Sequence, residues 1–368
     1  MHYYIISGEL SGDLYASNLI RQLKKTNPSS KFTGWGGEYM KSAGCDIVVD
    51  LKSLSFMGFW EVFKNGILIL NHLSYAKQHI GQLQPDAIIL VDYPGFNLKI
   101  AEHAHKIGIP VYWFIAPQIW AWKKKRIKKM RKYIHKLFVA LPFELEYFSK
   151  RGVNTFYFGH PMIDLVSRRE SMLGNELGKP IIALLPGSRK QEVKKMLPLM
   201  LQVSVNFPRY RFVIICADSI SRSFYEHLSQ GYNVELQFNK DILRSVFAAL
   251  VTSGTATLEL AIYQIPQVVC YKIDNISFLI ARLFVNIKYI SLVNILSKKE
   301  VVQELIQGDC NVKNIEKSLS SILKASNREQ IIADYSGLVK QLGTPGCFEK
   351  ISEIIYSDLL GIKKYANK

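Results

Sequence analysis

The feature that most constrains this chain is an alternation of short, β-rich apolar runs with longer segments of 3.6-residue apolar spacing. Tyr3–Ser7, Lys31–Trp35, Ala87–Val91, Val111–Phe114, Lys136–Ala140 and Thr155–Phe158 read as strands, and Leu14–Lys25 and Lys99–Ile107 read as helices between them. Strands separated by helices imply parallel βαβ units and a doubly wound sheet. A second series follows a polar, charge-rich interval at Ser167–Lys179: Ile181–Leu185, Phe212–Ala217, Val234–Gln237, Ala248–Thr252 and Gln267–Cys270. At 368 residues the chain suits two domains rather than one core. The expected division is residues 1–166 and 167–346, two Rossmann-like halves. After the GTPG run at Gly343–Gly346, a closing helix in 347–368 is expected to pack back on the first half.

Composition narrows the class. The net charge of +17, from 47 basic and 30 acidic residues, predicts attraction to phosphate on nucleotide, lipid or nucleic acid. Five scattered cysteines without a C-x-x-C suit a reducing compartment and argue against a disulfide framework or a structural zinc. The opening MHYYIISGEL lacks a basic segment followed by an apolar one, so no secretory leader is expected. The best apolar run, Phe278–Ile287, is broken by Arg282 and Asn286, so a spanning helix is not expected.

Four strand ends carry candidate chemistry. Ser7-Gly8-Glu9-Leu10-Ser11-Gly12-Asp13 follows the first strand; it reads either as a ligand-binding turn or as a tight turn capped by Ser11 or Asp13. It is not G-x-G-x-x-G, so no dinucleotide fingerprint is present. Asp92, ahead of Tyr93-Pro94-Gly95-Phe96-Asn97, is either a general base or a turn aspartate bonding nearby N–H groups. Gly187, Ser188 and Arg189 open a helix with free N–H donors and a guanidinium fork suited to a diphosphate. Ser253, Gly254 and Thr255 open another, with Glu259 one turn along for ribose hydroxyls. Plain capped helices and a solvated Glu259 are the bland alternatives. No two aspartates are separated by one residue and no histidines are paired at metal-ligand spacing, so no catalytic metal and no cofactor are expected. His160 reads as structural.

Two surface elements stand out. Between His103 and Phe143 there is no acidic residue, and Lys123–Lys136 is Lys or Arg at nine of fourteen positions, preceded by Trp120 and Trp122. Ile127, Met130, Ile134 and Leu137 repeat at helical spacing, so the stretch reads as one amphipathic basic helix. Such a helix is solvated or meets phosphate and membrane. The bulky apolar run Leu54–Leu70 is either a buried helix or an exposed patch for acyl chains.

Taken together these segments resemble the lipid-A-disaccharide synthase family. The resemblance rests on SGELSGD (Ser7–Asp13), GGEYM (Gly36–Met40), MGFWEV (Met57–Val62), DYPGFN (Asp92–Asn97) and APQIWAWKKKR (Ala116–Arg126). It continues through LPFE (Leu141–Glu144), GHP (Gly159–Pro161), LLPGSRKQEV (Leu184–Val193), SGTATLE (Ser253–Glu259) and YISLVNILSKKEVVQELIQ (Tyr289–Gln307). It implies the GT-B fold, two Rossmann-like domains flanking a cleft, and an inverting, metal-independent glycosyltransferase. The implied donor is UDP-2,3-diacylglucosamine and the implied acceptor 2,3-diacylglucosamine 1-phosphate.

By that resemblance Asp92 is the catalytic base, and Gly187, Ser188, Arg189, Ser253, Gly254 and Thr255 hold the diphosphate. Glu259 meets the ribose, and Asn294, Glu304 and Gln307 line the donor side. Ser7, Gly8, Glu9, Ser11, Gly12 and Asp13 face the acceptor. Phe56, Met57, Phe59, Trp60 and Phe63, with Trp120 and Trp122, meet acyl chains or membrane. Lys123, Lys124, Lys125 and Arg126 meet the anionic inner face of the bacterial inner membrane, with the protein peripheral and cytoplasmic. A homodimer stays open, and no nucleic acid is expected as partner. Two other readings are carried: a different UDP-sugar enzyme of GT-B fold, such as a peptidoglycan-precursor transferase or an epimerase, and a non-catalytic nucleic-acid-binding protein.

Overall fold

The computed structural model describes residues 1–51, 66–120, 124–167, 178–273 and 288–366. The chain forms two α/β units, Met1–Asp164 with Gly343–Lys368, and Leu165–Leu342.

The first unit is built on β1 (His2–Ser7), β2 (Lys31–Gly36), β3 (Asp46–Asp50), β4 (Ala87–Val91), β5 (Val111–Phe114), β6 (Lys136–Phe138) and β7 (Thr155–Phe156). They pair in parallel in the order β3-β2-β1-β4-β5-β6-β7. A parallel sheet covered on both faces needs continuous apolar strands. β4, Ala-Ile-Ile-Leu-Val, is accordingly buried throughout. β1 and β4 lie side by side with Ser7 opposite Val91, although the chain leaves β1 toward β2 and β3.

The second unit repeats the plan with β8 (Ile181–Leu185), β9 (Arg211–Ile215), β10 (Glu235–Gln237), β11 (Val246–Thr252), β12 (Gln267–Tyr271) and β13 (Glu304–Ile306). The order is β10-β9-β8-β11-β12-β13, again parallel. Every strand expected from the sequence forms, with ends shifted by a residue or two. β3 and β13 were not expected. β3 is an edge strand bracketed by Asp46 and Asp50, and β13 has three residues beginning with Glu304.

The basic stretch departs from a single helix. A 3-10 turn at Lys124–Arg126 leads into the helix Ile127–Tyr133, whereas Ile134 is extended and Leu137 belongs to β6. Met130 and Ile134 are buried, while Lys125, Lys128, Lys129, Arg131 and Lys132 are exposed. The apolar stripe therefore feeds the core and the cations face out, with Lys129 paired to Glu102 at 3.1 Å.

The C-terminal helix Cys347–Ala366 packs on the helix Leu10–Thr26 of the first unit. Its start is fixed by the buried Asp164 carboxylate, which accepts the N–H groups of Gly346 (2.8 Å), Cys347 (3.3 Å) and Phe348 (3.2 Å). Farther along, Asp358 accepts from the Tyr112 hydroxyl at 2.6 Å and pairs with Lys136 at 3.2 Å. Gly343 has φ +89° and lies so near Gly159 that a Cβ would stand 3.2 Å from the Gly159 Cα. The neighbouring His160 is buried, and burial pushes its imidazole down to about 3; Nδ1 accepts the Met162 N–H at 3.1 Å. It is a structural, neutral histidine. All five cysteines are free and buried. Among the described residues no helix is long and apolar enough to cross a membrane.

Candidate functional site

Open α/β sheets bind ligands beyond the carboxyl ends of the strands, where the strand order reverses. In the first unit that reversal lies between β1 and β4. The two sequence-distant turns Ser7–Asp13 and Asp92–Asn97 leave those two strands, so the fold brings them together. The contact is tight: a Cβ on Gly8 would stand 2.2 Å from the Tyr93 Cγ, and the first turn is itself closed, since one on Gly12 would stand 2.5 Å from the Ser7 Oγ. Asp92 and Tyr93 are both left-handed, φ 49° and 50°, just before the helix Pro94–Lys106. Asp92 is half-buried. Burial, with the Glu9 carboxylate in addition, holds the Tyr93 hydroxyl above its ordinary range.

In the second unit the reversal lies between β8 and β11, which pair with Leu185 opposite Val251. Gly187–Arg189 and Ser253–Thr255 leave those strands side by side, each opening a helix, Lys190–Val205 and Thr255–Ile262. Gly187 has φ +119°, and its missing side chain admits Glu192: a Cβ would lie 2.5 Å from the Glu192 Oε2. That oxygen accepts the Ser188 N–H at 3.1 Å and the Arg189 N–H at 3.4 Å, and Oε1 pairs with the Arg189 Nη1 at 3.1 Å. Ser188, Arg189, Gly254 and Thr255 are exposed. The Ser253 hydroxyl donates to the Ile290 carbonyl at 3.0 Å. At the ends of the next strands, Gln307 accepts the Ile273 N–H at 2.8 Å. What the turns present is one exposed guanidinium and the N-terminus of Thr255–Ile262, groups whose chemistry suits an anion.

The profile of the lipid-A-disaccharide synthetase family matches residues 3–355. This chain belongs to the lipid-A-disaccharide synthase family. The synthase of Syntrophus aciditrophicus (strain SB) is 36% identical over 362 residues, covering 94% of each chain. That of Coxiella burnetii (strain CbuK_Q154) is 32% identical over 365 residues, 96% of this chain and 97% of the relative. Among solved structures, the S. aureus MnaA–UDP co-structure matches with a TM-score of 0.68 at 10% identity, over 97% of both chains. The fold is the GT-B fold of glycosyltransferases and sugar-nucleotide epimerases.

Several residues that the lipid-A-disaccharide synthase resemblance assigns to substrate are committed to the protein itself. Asp13 neither caps its own helix nor faces outward. It is fully buried and accepts the N–H groups of Gly37 (2.8 Å), Tyr39 (3.1 Å) and Met40 (3.2 Å). Ser7 is buried too, its Oγ donating to the Glu9 carbonyl at 3.2 Å. Glu9 and Ser11 remain accessible in that turn.

Asn294 is fully buried with every bonding capacity of its amide in use. Nδ2 donates to the Val302 carbonyl (2.7 Å) and Glu304 Oε1 (2.8 Å), and Oδ1 accepts the Val301 (2.8 Å) and Val302 (3.0 Å) N–H groups. Glu304 takes the Ile290 and Ser291 N–H groups at 2.8 and 2.9 Å. Asn294 and Glu304 thus knot the 290–304 segment instead of presenting polar atoms to a donor. Glu259 is not a solvated charge: it is 6% exposed and paired with Lys240 at 2.9 Å. Trp120 is turned inward, its indole N–H donating to Glu144 at 3.0 Å.

Glu144 is a residue that sequence reasoning missed. It is 1% exposed, accepts the Leu141 N–H at 3.1 Å, and sits past the carboxyl end of β6. Burial pushes its carboxyl up to about 7, the Asp92 charge adding in the same direction. Its sequence signals are its place at the end of the LPFE segment and the third helical position after Leu141, the place of a capping carboxylate. Phe56, Met57, Phe59, Trp60, Phe63, Trp122 and Lys123 lie outside the described residues, as does the side chain of Lys124. Among the described residues no His, Cys, Asp and Glu side chains cluster so as to hold a metal ion.

Proposed function

We propose that this chain transfers 2,3-diacylglucosamine from UDP-2,3-diacylglucosamine to the 6-hydroxyl of 2,3-diacylglucosamine 1-phosphate with inversion. The observation that carries this reading is the family match across residues 3–355. It is supported by the candidate turns emerging at the two strand-order reversals.

Asp92 takes the proton from the acceptor 6-hydroxyl as its oxygen bonds the anomeric carbon. The bond from that carbon to the β-phosphate oxygen breaks, and UDP leaves with the electron pair. Transition-state charge then accumulates on the diphosphate, where donors fixed in advance act most strongly. Arg189 and the N–H groups at Ser253–Thr255 supply them. The Ser188 and Arg189 backbone N–H groups are already used by Glu192, so the guanidinium is the active part of that turn. Gln307 borders the donor, while Glu259 stays paired with Lys240 beneath the turn. Glu9 and Ser11 meet the acceptor.

On this reading the exposed Lys125, Lys128, Arg131 and Lys132 face an anionic lipid surface at the inner side of the bacterial inner membrane. The Leu54–Leu70 segment meets acyl chains. The test is product analysis: the two acylated substrates should give UDP and a β(1→6) disaccharide in equal amounts. UDP-sugar epimerisation without transfer would overturn this reading.

A further inference from the structure

The backbone at Asp92 is strained and is held by a buried amide from the helix that follows it. Asp92 and Tyr93 are consecutive non-glycine residues with φ 49° and 50°. Each such residue costs on the order of 1–3 kcal/mol and persists only where its surroundings over-determine it. Two contacts do so here. From one side Gly8 lies flush under the Tyr93 ring. From the other, the fully buried Asn97 reaches back along the first turn of its helix. Its Nδ2 donates to the Asp92 carbonyl at 2.7 Å and, more weakly, to the Val91 carbonyl at 3.4 Å. The Asp92 N–H meanwhile donates to the Phe114 carbonyl at 3.3 Å, the last rung between β4 and β5. The residue is held at both ends of its backbone, by the Asn97 amide and by the Phe114 carbonyl.

The other end of the Asn97 amide matters too. Its Oδ1 is buried without a hydrogen-bond partner among the described residues. An unmet buried acceptor costs about 1–3 kcal/mol, so an amide there weakens the fold unless its donor end earns a return elsewhere. Among the described residues, the donor end reaches the Val91 and Asp92 carbonyls alone.

We propose that Asn97 is a positioning residue for the transfer: its amide locks the left-handed Asp92–Tyr93 turn and so fixes where the Asp92 carboxylate meets the acceptor hydroxyl. The inference rests on the reading of Asp92 as the base. Misplacing a reacting group by about 1 Å costs on the order of a hundredfold in rate, which sets the scale.

The test is a double-mutant cycle in the full chain, read by UDP release from the acylated substrates and by UDP binding. Asn97→Ala removes the amide. Asn97→Asp keeps its shape but turns an acceptor toward two carbonyls. Each should lower kcat by about 10- to 100-fold while KM for the donor and UDP affinity stay within about twofold. In an Asp92→Ala background, Asn97→Ala should change the residual turnover by less than about twofold, because a positioning residue acts only through the group it positions. Equal losses in both backgrounds would overturn the proposal, as would full turnover in either Asn97 variant while Asp92→Ala is crippled. If Asn97→Ala fails to fold, Asn97→Asp decides by the same readings. Wild-type turnover in Asp92→Ala would remove the base reading itself, a distinct result.

Discussion

Gly8 and Tyr93, 85 positions apart in the chain, touch so closely that a single methyl group on Gly8 would stand 2.2 Å from the Tyr93 ring. The contact exists because β1 and β4 are neighbours and end together, Ser7 opposite Val91. Gly8→Ala must push the ring or the Asp92–Tyr93 turn aside. Forcing extra atoms into a well-packed site costs about 1–3 kcal/mol, so the variant should lose that much in denaturant unfolding and should also turn over more slowly. A wild-type unfolding midpoint would contradict the contact.

Arg189 brings the exposed guanidinium of the Gly187–Arg189 turn, held from one side by Glu192. Its side chain is 63% exposed, so little stability depends on the pair. Arg189→Ala should leave the melting temperature nearly unchanged but weaken UDP affinity by about 1.5–3 kcal/mol, the range for hydrogen bonds to charged groups. Calorimetric titration with UDP measures it, and unchanged affinity would take Arg189 out of the donor site.

Glu144 makes stability depend on pH in a stated direction. Its carboxyl is raised from 4.5 to about 7 by burial, with Asp92 adding to it. The folded state therefore holds a proton that the unfolded state has released, and stability falls as pH rises from about 4.5 through about 7. Glu144→Gln removes this dependence. The variant's stability relative to wild type should improve between pH 5 and pH 8 by up to about 3 kcal/mol, by the linkage between proton affinity and folding. Parallel pH profiles for the two proteins would contradict it.

Replacing Lys125, Lys128, Arg131 and Lys132 by glutamine removes exposed charge without touching the buried Met130 and Ile134. Binding to vesicles with anionic lipid should weaken by about 1 kcal/mol per charge near the surface, with folding unaffected. Unchanged sedimentation with vesicles would remove this face from the membrane.

The parallel sheets were legible because covered strands must be continuous apolar runs, and the turns at Asp92 and Arg189 because Gly and Pro mark where such strands end. β3 and β13 were not, since an edge strand bounded by Asp46 and Asp50 and a three-residue strand starting at Glu304 lack that signature. Polar residues inside motifs were harder still. A sequence gives Asn294 the same letter whether its amide meets a sugar nucleotide or, as here, the Val301 and Val302 N–H groups. Asp13 likewise looks like a cap of its own helix, yet its partners begin at Gly37, on a strand pairing that only the folded sheet creates. Glu144 became visible only when the fold set Trp120 against it.

If this chain acts as proposed, acylated sugars are its substrates. The decisive assay gives purified protein 2,3-diacylglucosamine 1-phosphate and either UDP-2,3-diacylglucosamine or UDP-N-acetylglucosamine and follows UDP release. The diacylated donor should give rapid release and a β(1→6)-linked disaccharide, and the other donor little of either. Equal use of the non-acylated donor would contradict it.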